Sequence, residues 1–155
     1  MSDYRTNEGL ASIEGSIDAW LAAFQAENPG IESVDRGEPS DPERRWYVRM
    51  RGDEKDYITV WLTLGQRTLR YETYVMPAPE ENEQLLYEHL LRRNEKLVGA
   101  HFSIGAENAV YLRGELPLAA LDQDELDRIV GSMYAYVEQC FGPALRIGFA
   151  SRFAG

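Results

Sequence analysis

The sequence predicts an α+β fold, with a five-stranded, mainly antiparallel sheet packed against three helices. Three observations carry this expectation. Apolar residues recur at spacings of three and four in three segments, and alternate at period two in five others. Short, glycine-containing turns join the central alternating segments, so consecutive strands are expected to pair antiparallel. The expected element order is α-β-β-β-α-β-β-α.

From Leu10 to Glu27, the residues Ile13, Ile17, Trp20, Leu21 and Phe24 share one helical face. Asn28-Pro29-Gly30 ends that helix, because proline breaks the hydrogen-bond ladder and glycine permits a reversal. Residues 30–43 are polar and contain Gly37, Pro39 and Pro42, which predicts a loop pinned at its start by Ile31 and Val34.

The strand pattern is clearest next. Trp46, Val48 and Met50 alternate with Arg45, Tyr47, Arg49 and Arg51. After the turn residues GDEK, Ile58, Val60, Leu62 and Leu64 oppose Tyr57, Thr59, Trp61 and Thr63. In RTLRYETYV, Leu69, Tyr71 and Val75 oppose Arg70, Glu72 and Tyr74.

MPAPEENE marks the entry to a second helix, with Pro79 at its first position and Glu80, Glu81 and Glu83 at the positive end of the dipole. Leu86, Leu90 and Leu97 line its buried side, with Leu85 and Leu91 at the borders. Two further strands are expected near residues 100–105 and 109–116. The last helix opens on Asp122 with Glu125 three residues on, a capping-box spacing. Its stripe is Leu126, Ile129, Val130, Met133, Val137 and Cys140, and Gly142-Pro143 is expected to end it. In the segment LRIGFASRF, Leu145, Ile147, Phe149 and Phe153 share one parity. That spacing predicts a docked segment, either an extra strand within the chain or a strip laid across a partner.

A chain of 155 residues fits one domain, 1–155, with residues 1–9 as a flexible N-terminus and 142–155 as a docked tail. Hydrophobic residues at 44% and aromatics at 11% exclude a disordered composition. The formal net charge of −10 disfavours nucleic acid as a partner. No apolar run approaches the roughly 20 residues that a membrane helix needs. Neither the lone Cys140 nor the N-terminus points to export, so a cytoplasmic location is expected.

Chemistry is sparse. Cys140 lies on an apolar stripe, where a thiol behaves as a small hydrophobe. His89 and His101 fall in different elements, and Glu88, adjacent to His89 on a helix, points elsewhere. HExxH, paired CxxC, phosphate-binding glycine motifs and GxSxG are all missing from the sequence. The carboxylates of EENE and DQDELD sit at expected helix starts, where capping accounts for them. No catalytic residue, metal ligand or cofactor is expected.

The face opposite the core is more informative. It carries Arg45, Tyr47, Arg49, Trp61, Arg70, Tyr74, Tyr111 and Arg113, residue types enriched at interface hot spots. The residues leave three readings open: a partner-binding face, a solvated surface, or the bed of a second helix layer.

The stretch WYVRMRGDEKDYITVWLTLGQRTLRYETYVMPAPEENEQLLYEHLLRRN, followed by YLRGELPLAALDQDELDRIVGSMYAYVEQ, resembles the YbjN family of sensory transduction regulators. LLRRN at residues 90–94 and LPLAALDQDELDRIV at residues 116–130 carry the resemblance most strongly. The family is similar in fold to the class I type III secretion chaperones, small acidic proteins that dimerise and hold client proteins. The resemblance implies no cofactor and no catalytic residue. Arg92, Arg93 and Asn94 are the polar positions of that motif to follow.

Together these readings predict a non-catalytic, homodimeric protein-binding module, chaperone-like or regulatory. The alternative is a sensor that holds a small molecule or ion between sheet and helices.

Overall fold

A computed structural model describes residues 6–154. The elements are α1 (Asn7–Glu27), β1 (Ile31–Arg36), β2 (Arg44–Arg51), β3 (Tyr57–Leu64), β4 (Thr68–Met76), α2 (Glu83–Asn94), β5 (His101–Ile104), β6 (Val110–Pro117) and α3 (Gln123–Gly148). The strands form one antiparallel sheet in the order β1-β2-β3-β4-β6-β5. Among the described residues the fold is α+β with three α-helices, and the sheet has six strands rather than the five expected.

The extra strand is β1, in the segment read as a loop. Its period-two signal is weak for a local reason. Only Ile31 and Val34 are apolar, and a bulge between Ile31 and Ser33 shifts the register between them. Pairing with β2 supplies what the sequence pattern lacks. Gly37 N–H closes the β1–β2 connection onto the Arg45 carbonyl at 2.8 Å.

The core lies on the sheet face that carries Trp46, Val48, Met50, Ile58, Val60, Leu62, Leu69, Tyr71 and Leu112, all buried. Against it packs α3, whose stripe of Leu126, Ile129, Val130, Met133, Val137, Cys140 and Ala144 is also buried. Helix α1 contributes Leu10, Ile17 and Leu21, with Ile13, Trp20 and Phe24 half-buried around them. Polar contacts set the angle of α1. The Trp46 indole N–H donates to Asp18 Oδ1 at 2.8 Å, and Glu14 accepts from Arg36 and Arg44, each at 2.6 Å. Burial works against the charge on Glu14, yet the hydrogen bonds from both guanidiniums outweigh it and hold its carboxyl below the usual range.

Helix α3 begins as expected, with Glu125 N–H donating to Asp122 Oδ1 at 2.8 Å. It does not end at Gly142-Pro143. It runs through Pro143 to Gly148 and is followed by a 3₁₀ turn at Ala150–Arg152. Residues 145–153 therefore form helix and turn, and the extra strand, one of the two forms of docking expected, does not form. Pro143 and Gln139 both lie on the exposed side, so the carbonyl deprived of its helical partner faces water. An interior proline costs about 3 kcal/mol. Burying Phe149 and much of Leu145 and Ile147 offsets this, at roughly 1.5–3 kcal/mol for each complete side chain.

The segment before α2 also departs from expectation. Pro79 is not the first helical residue, and Glu80 and Glu81 are not in the first turn, because α2 starts at Glu83 after Asn82 in a left-handed conformation (φ 54°). Residues 79–82 serve α3 instead. The N–H groups of Glu80 and Glu81 donate to the Gly148 carbonyl at 2.9 and 3.1 Å, and Asn82 Nδ2 donates to the Ile147 carbonyl at 2.9 Å. These contacts satisfy carbonyls that a helix end leaves unpaired. The Glu81 carboxylate accepts from Ser151, and Glu80 pairs with Arg152, so the final turn is fastened to the same segment.

At the N-terminus, α1 starts three residues earlier than read, with Thr6 Oγ1 accepting from Gly9 N–H at 3.0 Å. Residues 7–9 of the expected flexible segment are thus helical, and residues 1–5 lie outside the described residues. The GDEK turn is held from across the fold. The carboxylate of Glu138 on α3 accepts the N–H groups of Asp53 and Glu54, each at 2.9 Å, and of Lys55 at 3.3 Å.

Two glycines give a paired prediction. A Cβ at Gly114 on β6 would overlap the Gly99 carbonyl oxygen and the Tyr71 ring, whose hydroxyl donates to that oxygen at 2.6 Å. A Cβ at Gly131 on α3 meets nothing within 4 Å. Gly114→Ala is expected to lower stability by about 1–3 kcal/mol. Gly131→Ala is expected to raise it by roughly 0.5–1 kcal/mol through helix propensity. Urea unfolding midpoints at unchanged slope check both.

Candidate functional site

Once the helices cover one side of a twisted sheet, side-chain alternation commits every second residue to the other side. All eight sequence-predicted residues stand on that open face. Their arrangement follows from strand register. Tyr47 on β2 is opposite Trp61 on β3, which is opposite Glu72 on β4, then Arg113 on β6 and His101 on β5. Beside this row, Tyr74 lies opposite Tyr111, and Tyr111 opposite Ser103. On the other flank, Arg45, Thr63, Arg70 and Glu115 are register partners in turn.

The aromatics pair edge to face, with ring centroids 5.9 Å apart for Tyr47 and Trp61 and 5.7 Å for Tyr74 and Tyr111. Tyr57 and Tyr74 are each 39% exposed, and Tyr47, Trp61 and Tyr111 are half-buried. Burial pushes the Tyr74 hydroxyl above the usual tyrosine range, with Tyr111 and Glu107 adding to the effect.

The arginines are interleaved with the rings and paired in place. Arg113 Nε donates to Glu72 at 2.8 Å, and its guanidinium lies 4.6 Å from the Tyr111 ring centre. Arg49 stacks 3.9 Å from the centre of the Tyr57 ring and pairs with Glu32 at 3.3 Å. Glu43 bridges Arg45 and Arg70, and Arg45 Nε donates to Thr63 Oγ1 at 3.2 Å. At the rim, Lys55 Nζ donates to the Tyr57 carbonyl at 3.1 Å and lies 5.6 Å from the Tyr74 ring centre. Burial pulls this ammonium below the usual lysine range, against the attraction of Asp56.

A hollow of about 470 Å³ opens on this face, between Glu43, Arg45, Arg70, Glu72, His101 and Arg113. Its polar lining lies on the outer side of the sheet and not between sheet and helices. Sequence reasoning missed Glu43, Glu72 and His101. The Glu72–Arg113 pair had no sequence signal, because β6 inserts between β4 and β5 and so joins strands distant in the chain. Glu43 belongs to the segment read as loop.

Residues outside this face offer little chemistry. Cys140 is buried, with Arg93 Nη2 at 3.3 Å from its sulfur. Among the described residues no group of three or more His, Cys, Asp or Glu side chains could hold a metal ion. No helix of the described residues is long and apolar enough to cross a membrane.

A sequence model of YbjN, described as "Putative bacterial sensory transduction regulator", matches residues 16–145. The chain belongs to the YbjN family. The uncharacterized protein Rv0487 of Mycobacterium tuberculosis is 36% identical over 104 residues, 67% of this YbjN chain and 57% of that protein. The uncharacterized protein ML2442 of Mycobacterium leprae is 32% identical over 107 residues, 69% of this chain and 58% of that protein. The chain thus spans less than two thirds of the length of these relatives. Among solved structures, a chain of the ExsC–ExsE complex aligns over 81% of this chain and 90% of its own length, with TM-score 0.55 and 19% identity. A chain of the heterodimeric ExoU–SpcU complex from the type III secretion system of Pseudomonas aeruginosa aligns over 82% and 98%, with TM-score 0.51 and 14% identity. At these identities the likeness is one of fold, and it agrees with the chaperone-like architecture implied by the family resemblance.

The geometry of the Tyr47–Trp61 pair predicts an energetic coupling. In a double-mutant cycle with Tyr47→Ala and Trp61→Ala, urea unfolding is expected to show about 0.5–1.5 kcal/mol of interaction energy. Additive single substitutions would show the edge-to-face contact to be energetically empty.

Proposed function

We propose that this YbjN chain is a non-catalytic protein-binding module, chaperone-like or regulatory, that acts as a homodimer in the cytoplasm and holds its partner on the open sheet face. One observation carries the proposal. Two edge-to-face aromatic pairs, interleaved with ion-paired arginines, stand on a face that the helices leave uncovered.

Large planar rings bury much area while losing few rotatable bonds, and arginine combines an apolar stem with a directional charge. Pairing within the chain fixes the guanidiniums before a partner arrives, which reduces the ordering cost of binding. Each of the four arginines is ion-paired with a carboxylate, so their charge is compensated within a chain of net charge −10. A partner segment with apolar anchors that pack on the exposed rings fits the face best. Both solved neighbours cited above are chains of complexes between two different proteins. Their likeness supports protein binding by analogy of fold.

The test is affinity capture from lysate of the source cells, with tagged wild type beside Trp61→Ala/Tyr74→Ala. Each hot-spot truncation typically costs about 2 kcal/mol or more. Retention of the partner is therefore expected to fall at least tenfold, with the far-UV circular dichroism unchanged. Undiminished retention by the double variant would reject the open face as the binding surface.

A further inference from the structure

We propose that Lys55 is an acyl-acceptor site: its side-chain amine, held on the Tyr57 carbonyl beside the rings of Tyr74 and Phe141, takes an acyl group from an activated donor, a thioester or an acyl phosphate. The reaction is stoichiometric, and it does not depend on partner binding at the open face.

Lysine is rare in this chain. Of its 16 lysines and arginines, two are lysines, Lys55 and Lys96. Lys55 belongs to the β2–β3 turn whose N–H groups Glu138 holds from α3, so its backbone is fixed before any ligand arrives. Lys96 lies exposed in the link after α2.

The head group of Lys55 has an uncommon setting for a cation near the surface. Nζ donates to the Tyr57 carbonyl at 3.1 Å, and it lies 5.6 Å from the Tyr74 ring centre and 6.0 Å from the Phe141 ring centre. Asp53, Glu54 and Asp56 neighbour it in sequence, yet among the described residues no carboxylate forms an ion pair with it. Glu54 leans toward α3, where its carboxylate and Arg146 flank Gly142. Glu138 spends both oxygens on the N–H groups of the turn. The Tyr74 hydroxyl, pushed up by burial, stays neutral. Burial disfavours the ammonium more than Asp56 supports it, which pulls Lys55 below the usual lysine range.

This setting suits a nucleophile. A desolvated lysine without a counter-ion keeps more of its amine neutral, and the neutral amine is the form that attacks. Donation of one N–H to the Tyr57 carbonyl anchors the nitrogen and leaves its lone pair free. That contact is open to solvent, so a donor can reach it. In the step, the lone pair attacks the acyl carbon and forms a C–N bond. The C–S bond of a thioester, or the C–O bond of an acyl phosphate, breaks with its electron pair leaving on sulfur or phosphate oxygen, and the nitrogen gives one proton to water. The product amide is uncharged, so the step also removes the cation from beside Tyr74.

The test is acetylation of the full, folded chain, read at each lysine by peptide mass spectrometry. Acetyl-coenzyme A and acetyl phosphate are the probes, from about pH 6 to about pH 10. Near neutral pH, Lys55 is expected to react about threefold or more faster than Lys96 with one donor or both, the faster donor identifying the class. Its rate is expected to rise at lower pH than that of Lys96, because its neutral amine forms at lower pH. In urea the two lysines are expected to react alike. Lys55 reacting no faster than Lys96 with either donor would overturn the proposal. A preference for Lys55 that persists in urea would overturn its origin in the fold.

Discussion

The packing of the α3 stripe against one face of the sheet is the contact on which the rest of the molecule depends. It fixes which parity of β2, β3, β4 and β6 is inside. The opposite parity follows without further instruction, because a one-residue slip would exchange the two sets entirely. Trp46, Val48 and Leu62 cannot be buried unless Arg45, Tyr47 and Trp61 are turned outward. The open aromatic and arginine face is therefore a geometric consequence of the core.

The acidic composition has a matching structural reason. Several carboxylates act as ligands for groups that would otherwise lack a partner. Glu138 holds three backbone N–H groups of the β2–β3 turn, and Glu14 and Asp18 tie α1 to β1 and β2. Glu80 and Glu81 fasten the last turn of the chain. The cations in these ion pairs are arginines, whose fork can engage two acceptors at once, as Arg36 does with Glu14 and Asp18. Most of these pairs are half-exposed, so each contributes little alone, in the range of about 0–1 kcal/mol. Their role is to set orientation.

Where local signals were strong, the sequence was enough to read the elements. The period-two runs of β2, β3, β4 and β6, the stripe of α3 and the Asp122 cap are all local patterns, and the eight open-face residues could be named from the four strands. The misreadings occurred where tertiary contacts override local preference. Pro143 stays helical because the stripe beyond it still has a core to meet. Pro79 does not start α2, because residues 79–82 are drawn to the C-terminal carbonyls of α3. β1 forms because β2 offers an edge, although its own pattern is broken by a bulge. The ion-pair partners on the open face were illegible for a related reason. Periodicity places a side chain on a face, but only the strand order, with β6 inside and β5 at the edge, brings Glu72 to Arg113.

The central claim is that the face left open by the core is the one that meets a partner. Hydroxyl-radical footprinting of the chain, alone and in complex with the captured protein, tests this most directly. Tyr47, Trp61, Tyr74 and Tyr111 are expected to be oxidised in the free chain and protected in the complex, while Tyr134 and Tyr136 on α3 stay unchanged. Protection confined to Tyr134 and Tyr136, with the four open-face rings still oxidised, would contradict the account.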